Sequence, residues 1–289
     1  FRRSKKIKNK ISSTKPIDAL EDLVSSGVLT VIHRREDYIE KRKDAGHEEP
    51  KTIYLVGTSH ISEKSADDVK RVIEVVRPKS VVVELCRNRK GIMSPDAQVK
   101  RYDSLLDAAV EGRKNSALFQ TVMSHLVSSN TGEFRPGMDF RSANEYAGKV
   151  GAEIVLGDIP LNITLQRAWD MLKIGEKLKL GSIMVKLAMG SGAETEKSED
   201  FLGMAKDGRV EEEMLDSLIA ELTAEFPSLV GPLLHERNKY LAWSLKRSRA
   251  VSNKDAVVGV VGRAHVAGII EEIKNDNGGD KLIFKDLIK

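Results

Sequence analysis

The sequence predicts an α/β fold: a mostly parallel central sheet flanked by helices, with a helical insertion. Three observations predict it. Apolar, β-branched runs of strand length recur at 53–56, 80–86, 152–156 and 255–261, and near-continuous runs of this kind suit strands buried on both faces of a parallel sheet. Stretches with helical spacing separate them, so strand and helix alternate at both ends of the chain. Two of the runs break at a glycine and reach a histidine three residues later: Val56-Gly57-Thr58-Ser59-His60 and Val261-Gly262-Arg263-Ala264-His265. Both histidines then sit at the carboxyl ends of strands, where ligands collect in open α/β sheets.

The totals bound what such a fold can do. The 289 residues suit one large α/β domain with appendages, and 40% apolar against 31% charged allows a sizeable core beneath a solvated surface. The formal charge of +4 is concentrated, because Phe1 to Lys10 holds six basic side chains and no acid. The rest is close to neutral, and with no aromatic-plus-basic repeat no nucleic-acid partner is expected. A single cysteine, Cys86, excludes an intrachain disulfide framework and favours a reducing, intracellular setting. No run approaches the ~18 apolar residues that span a bilayer. The chain opens at Phe1, so any membrane association is expected to run through segments outside this sequence.

In order, residues 1–50 read as a basic arm followed by a lead-in helix over 17–29 and a strand at 29–33. Residues 52–86 form the clearest unit: a strand at 53–56, a helix capped by Ser62 with Val69, Val72, Ile73 and Val76 as its buried stripe, a stop at Pro78, and a strand ending in Glu84-Leu85-Cys86. This β-α-β crossover makes its strands parallel, with His60 and Glu84 on one edge. Parallel neighbours lie ~4.8 Å apart, so the two side chains meet if these strands are adjacent. Residues 88–130 read as helical, 131–137 as a loop, 140–150 as a helix and 152–156 as a strand ending at Gly157-Asp158. The helical insertion covers about 160–250. It has a long stretch over 164–189 broken at Gly175 and Gly181, a polar loop at 190–198, a patterned helix over 211–226, a turn at 227–232 and a helix over 233–248. The last strand, 255–261, is followed by a helix over 266–273 and a short element at 281–288.

Two imidazoles and a carboxylate on one edge support two chemistries. Two histidines plus a carboxylate are a ligand set for a divalent transition metal, which would acidify a water for hydrolysis. Alternatively, Glu84 and a histidine act as general base and acid without metal. For one position alone the blander reading, a side chain capping the next helix, is the default. For His60, Glu84 and His265 together the functional reading outweighs it. Arg141, Arg167 and Arg237 could hold a carboxylate or phosphate in bidentate fashion, or pair with Glu236, Glu145 or Asp158 as structural ions. Cys86 reads as a core thiol.

Six segments then resemble one family in order: Tyr54-Leu55-Val56-Gly57-Thr58-Ser59-His60, Val81-Val82-Val83-Glu84-Leu85-Cys86, Leu156-Gly157-Asp158, Ile163-Thr164-Leu165-Gln166-Arg167-Ala168, His235-Glu236-Arg237-Asn238 and Val260-Val261-Gly262-Arg263-Ala264-His265. They are similar to the TraB/PrgY/GumN family over about residues 51–275. Glu84-Leu85-Cys86 and Arg167-Ala168-Trp169 resemble its eukaryotic, plant-like branch. The resemblance implies a fold related to erythromycin esterase and ChaN-like proteins. Its bacterial members shut down peptide pheromone signalling, and its Tiki branch comprises metal-dependent proteases acting on Wnt proteins. It maps the family's histidines and glutamate onto His60, Glu84 and His265. Three places depart from the family pattern: Asp158-Ile159 for Asp-Arg, Glu236-Arg237-Asn238 for Glu-Arg-Asp, and Asp139-Phe140-Arg141 for Glu-x-Arg.

The expectation is therefore a TraB domain over 51–289 acting as a metal-dependent hydrolase on a peptide or protein substrate. Mn, Co or Zn is the expected ion. His60 and His265 are its ligands, and Glu84 is ligand or general base. Arg141, Arg167 and Arg237 orient substrate, while Asp158, Glu236 and Asn238 stand behind the ligands. The competing expectation keeps the fold without catalysis, as an organelle-membrane adaptor or tether, or as a peptide-sequestering protein. The resemblance places such proteins at the mitochondrial outer membrane or another organelle surface, facing the cytosol. The oligomeric state stays open.

Overall fold

The computed structural model describes residues 17–35, 49–60, 62–94, 137–188, 224–248 and 255–276, together with 282, 287 and 288. The basic arm at 1–14, most of the helical stretch read at 88–130, the loop at 190–198 and most of the helix read at 211–226 lie outside the described residues.

The lead-in is a 3-10 turn, Asp18–Leu20, running into a short helix α1, Glu21–Ser25, and ending before the expected residue 29. Strand β1, Leu29–His33, follows, then β2, Thr52–Thr58. Helix α2, Glu63–Val76, is capped by the Ser62 hydroxyl accepting from Ser65 N–H, as its sequence requires. It ends at Arg77, whose left-handed backbone precedes Pro78. Strand β3, Ser80–Val83, leads through Glu84 into a 3-10 turn, Arg87–Met93. Helix α3, Met138–Val150, and strand β4, Glu153–Leu156, complete this half.

The helical insertion contributes α4, Leu161–Met171, and α5, Ile174–Ala188. The expected break falls between them at Leu172, not at Gly175 or Gly181. Glu176 explains it: its Oε2 accepts from Lys173 N–H at 2.8 Å, restarting a helix three residues earlier in the manner of half a capping box. A 3-10 turn, Pro227–Leu229, and a wide turn, Gly231–His235, lead into α6, Glu236–Arg247. Strand β5, Ala256–Gly262, and α7, Arg263–Asn275, follow. Among the described residues no helix is long and apolar enough to cross a membrane.

The sheet order is β1-β2-β5-β3-β4. Among the described strands only β1 is antiparallel; β2, β5, β3 and β4 pair parallel. The strands carrying His60 and Glu84 are therefore not adjacent. The α2 crossover leaves a gap between β2 and β3, and β5 fills it late in the chain. Thr58 pairs with Gly262 and Val83 with Val260, so the carboxyl ends of β2, β5 and β3 finish nearly level.

Side-chain alternation builds two cores. Tyr54, Val56, Val81, Val83, Val258 and Val260 face α1, α2 and α3, with Leu20, Leu23, Val69, Val72, Ile73 and Phe140 packed on them. Ile53, Leu55, Val82, Val257 and Val261 face α6 and α7, through Leu241, Ala242, Leu245 and Ile269. Both faces being covered is why these strands read as unbroken apolar runs. A satellite core of Leu165, Ala168, Leu172, Leu180, Phe226 and Leu229 holds the helical insertion together.

Candidate active site at the carboxyl edge of the sheet

Four parallel strands deliver polar groups to this edge: His60 after β2, His265 after β5, Glu84 after β3 and Asp158 after β4. The first three converge. His60 Nε2 lies 3.6 Å from Glu84 Oε2, and His265 Nε2 lies 3.2 Å from Glu84 Oε1. His60 reaches across the end of β5 because its backbone is left-handed, with φ 63°, a conformation that costs a non-glycine residue roughly 1–3 kcal/mol and needs support from its surroundings. Support comes from α3: Gly137 N–H donates to His60 O at 2.7 Å. The Phe140 ring lies 4.7 Å from the imidazole, centroid to centroid.

Each imidazole is held at its far nitrogen. His60 Nδ1 lies 2.8 Å from Asp139 Oδ2, and His265 Nδ1 lies 2.6 Å from Asn238 Oδ1. Both acceptors leave Nδ1 as the protonated nitrogen and turn Nε2 toward Glu84. Asn238 can stand under His265 because α7 carries Gly268 one turn on. A Cβ at Gly268 would run into the Asn238 carboxamide.

Glu84 is buried and fully engaged. Its Oε2 accepts from Gly262 N–H at 2.6 Å, and its Oε1 accepts from Arg237 Nη2. Burial alone would raise its pKa, but His265 and Arg237 outweigh that and hold the carboxyl well below the ordinary carboxylate range. Arg237 also clasps Asp158, with Nε 3.1 Å from Oδ1 and Nη2 2.8 Å from Oδ2. On its other side Asp158 accepts from Arg89, which also donates to Glu84 O at 3.2 Å. The Arg237 pKa is opposed by burial yet raised by Glu84 and Asp158. Burial likewise opposes the His60 imidazolium, but hydrogen bonds to Asp139 and Glu84 lift its pKa to about 10.

The remaining residues named from sequence sit as follows. Asp158, Arg237 and Asn238 belong to the cluster. Arg167 pairs with Glu236 at 2.5 Å and donates to Leu287 O at 3.2 Å. Arg141 donates to Ile92 O at 3.2 Å. Cys86 is buried and free of any disulfide. Sequence reasoning did not give a role to Asp139 or Arg89. Asp139 stood only as a departure from the family's Glu-x-Arg, and Arg89 follows the glutamate strand with no pattern of its own.

Among the described residues no three ligand-type side chains enclose a common metal point. Imidazole nitrogen and carboxylate oxygen are nonetheless donor types that a divalent cation takes. Two donors each ~2.1 Å from a tetrahedral ion stand roughly 3.4 Å apart; His265 Nε2 lies 3.2 Å from Glu84 Oε1 and His60 Nε2 3.6 Å from Glu84 Oε2, each pair on its own carboxylate oxygen. A Cβ placed on Gly262 would lie 2.8 Å from His60 Nε2 and 3.2 Å from Glu84 Oε2, so the glycine keeps open the space between those donors. With both Nδ1 protons committed, two Nε2 atoms face one carboxylate, an arrangement that holds a proton or a cation between nitrogen and oxygen. His60, His265 and Glu84 are the residues that would hold the ion.

Comparison with known proteins agrees with the motifs. The model of the TraB/PrgY/gumN family matches residues 45–277. A TraB domain-containing protein of Homo sapiens is 31% identical over 252 residues, covering 79% of this chain and 64% of its own length. An uncharacterized protein of Methanocaldococcus jannaschii is 31% identical over 246 residues, covering 82% of this chain and 57% of its own. The matched region spans less than two thirds of either relative. With its family model matched over residues 45–277, from just before β2 to just past α7, the chain belongs to the TraB/PrgY/gumN family.

Proposed function

We propose that this chain is a metal-dependent hydrolase acting on peptide bonds. One observation supports the reading above others: two imidazoles from separate strand ends, each backed at Nδ1, turn their Nε2 atoms on a single buried carboxylate. A divalent ion held by His60, His265 and Glu84 would supply Lewis acidity to a carbonyl and acidify water. Glu84, tied by Gly262 N–H and Arg237, serves as the anionic ligand rather than as a base, since a base needs a pKa near the working pH. The His60 side chain is 26% exposed against 7% for His265 and 6% for Glu84, so substrate meets the site on the His60 side. Arg237 and Asp158 keep the Glu84 carboxylate oriented.

Elemental analysis of the purified chain, beside His60→Ala and His265→Ala, tests the ligand assignment, and a peptide library with and without chelator tests the chemistry. The expected result is bound metal in the parent chain only, and cleavage that stops on chelation. Equal metal content in all three would remove the metal, and metal without peptide turnover would remove the peptidase. A second reading, a non-catalytic adaptor that retains the fold, draws on the internal balance of the cluster, where Arg237 and Arg89 already neutralise Glu84 and Asp158. It expects no turnover and a bound partner that survives His60→Ala.

A further inference from the structure

The structure assigns to Asp139 the role of positioning residue for His60, with Thr58 as its own support. Asp139 is the second residue of α3 and its side chain is fully buried. A buried carboxylate is costly unless hydrogen bonded, and the bonds it makes here point to the imidazole. Oδ2 accepts from Thr58 Oγ1 at 2.6 Å and from His60 Nδ1 at 2.8 Å. Oδ1 is buried with no partner among the described residues, so the bonds to Oδ2 are what offset the burial.

The proton arrangement follows from counting donors. Thr58 has one hydroxyl proton, and Asp139 Oδ2 at 2.6 Å is a nearer acceptor than Val261 O at 3.3 Å. With that proton committed, the Thr58 oxygen 3.1 Å from His60 Nδ1 is also an acceptor. His60 Nδ1 therefore faces two acceptors and carries the proton, which leaves Nε2 to the site. The blander reading makes Asp139 an acidic residue placed for the dipole of α3. That reading does not account for the bonds: the helix is entered from Gly137, it has no side-chain cap, and Asp139 Oδ2 is spent on β2 and His60 instead. The first turn of α3 thus mounts His60 through its main chain, through the Asp139 carboxylate and through the Phe140 ring. Asn238 does the equivalent for His265 with a neutral amide.

The metal arm of the test rests on the hydrolase reading above; the spectroscopic arm does not. Zn²⁺ affinity, by competition against a chelating dye, and the His60 Nδ1–H proton resonance are compared in the parent chain, Asp139→Ala, Asp139→Asn and Thr58→Val. Asp139→Ala is expected to lose the Nδ1–H resonance and to bind Zn²⁺ about 10–100-fold more weakly, the usual effect of removing a partner behind a ligand histidine. Asp139→Asn, which gives His60 the kind of support His265 has, is expected to retain the resonance at a shifted position with a smaller loss of affinity, and the His265 signals stay in place throughout. If Asp139→Ala fails to fold, Asp139→Asn and Thr58→Val carry the comparison, since both move the resonance if the assignment holds. A folded Asp139 variant with unchanged resonance overturns the assignment. A parent chain that binds no Zn²⁺ overturns the metal reading alone, and the resonance still decides the role of Asp139.

Discussion

Gly262 donates its N–H to Glu84 Oε2 at 2.6 Å, joining the ends of β5 and β3 across 178 residues of chain. The bond needs the glycine for space rather than for backbone freedom. Gly262 is extended, at φ −61° and ψ 142°, a conformation any residue adopts. Its missing Cβ would fall 2.8 Å from His60 Nε2. Gly262→Ala is therefore expected to leave the strand formed, to cost about 1–3 kcal/mol through overpacking, and to weaken metal binding by at least tenfold. Denaturant unfolding and metal competition on the same protein check both halves. Undiminished metal affinity would remove the opening between His60 and Glu84 as a cation site.

Arg237 is the counter-charge for two buried carboxylates, whereas Arg167 pairs with the half-exposed Glu236. Removing one partner of a buried pair strands the other, at roughly 3–5 kcal/mol. A partly exposed pair contributes roughly 0–1 kcal/mol. Arg237→Met should thus destabilise several times more than Arg167→Met in urea titrations. Equal losses would mean the Glu84–Arg237–Asp158 chain is solvated in solution.

Two glycines in helices should respond with opposite sign. A Cβ at Gly268 collides with Asn238, while at Gly148 nothing lies within 4 Å. Gly268→Ala is expected to destabilise by about 1–3 kcal/mol and to disturb the His265 ring. Gly148→Ala should stabilise by about 0.5–1 kcal/mol, because alanine loses less backbone entropy in a helix. Melting temperatures of the two variants, measured side by side, settle the signs.

Glu176 links α5 to the turn before α6. Its pKa is lowered by Ser228, then by the Lys173 N–H bond, which together outweigh the opposing effect of burial. A carboxyl depressed in the folded state stabilises above its unfolded value and loses that contribution as pH falls through the folded value. The melting-temperature gap between the parent chain and Glu176→Gln should therefore be largest at neutral pH and close below the ordinary carboxyl value of 4.5. A gap independent of pH would mean that the charge of Glu176 plays no part.

Local features were legible in the sequence because they depend on neighbours along the chain. The Ser62 cap, the stop at Pro78 and the unbroken apolar strands all appear where the residues place them. The break after α4 is set by no glycine but by the side chain of Glu176, whose bonds to Lys173 N–H and Ser228 N–H decide where α5 begins. In the site, His60, Glu84 and His265 stood out as polar groups ending apolar runs. Asp139 and Arg89 did not, since their partners are far along the chain and carry no shared spacing.

What the sequence determined by itself was the set of strands, their parallel sense and the three residues that close them, because strand length, burial and the β-α-β connection are local or near-local properties. Strand order was a matter for the tertiary structure. β5 enters between β2 and β3, and its last residue, Gly262, separates His60 from Glu84 by the width of one missing methyl group. The tertiary structure also decided how the imidazoles are held. The hydrogen bonds from Asp139 and Asn238 exist only after α3 and α6 have packed on opposite faces of the sheet. Side-chain geometry at a distance of this kind is set by the packing of whole layers, and no pattern within a single segment encodes it.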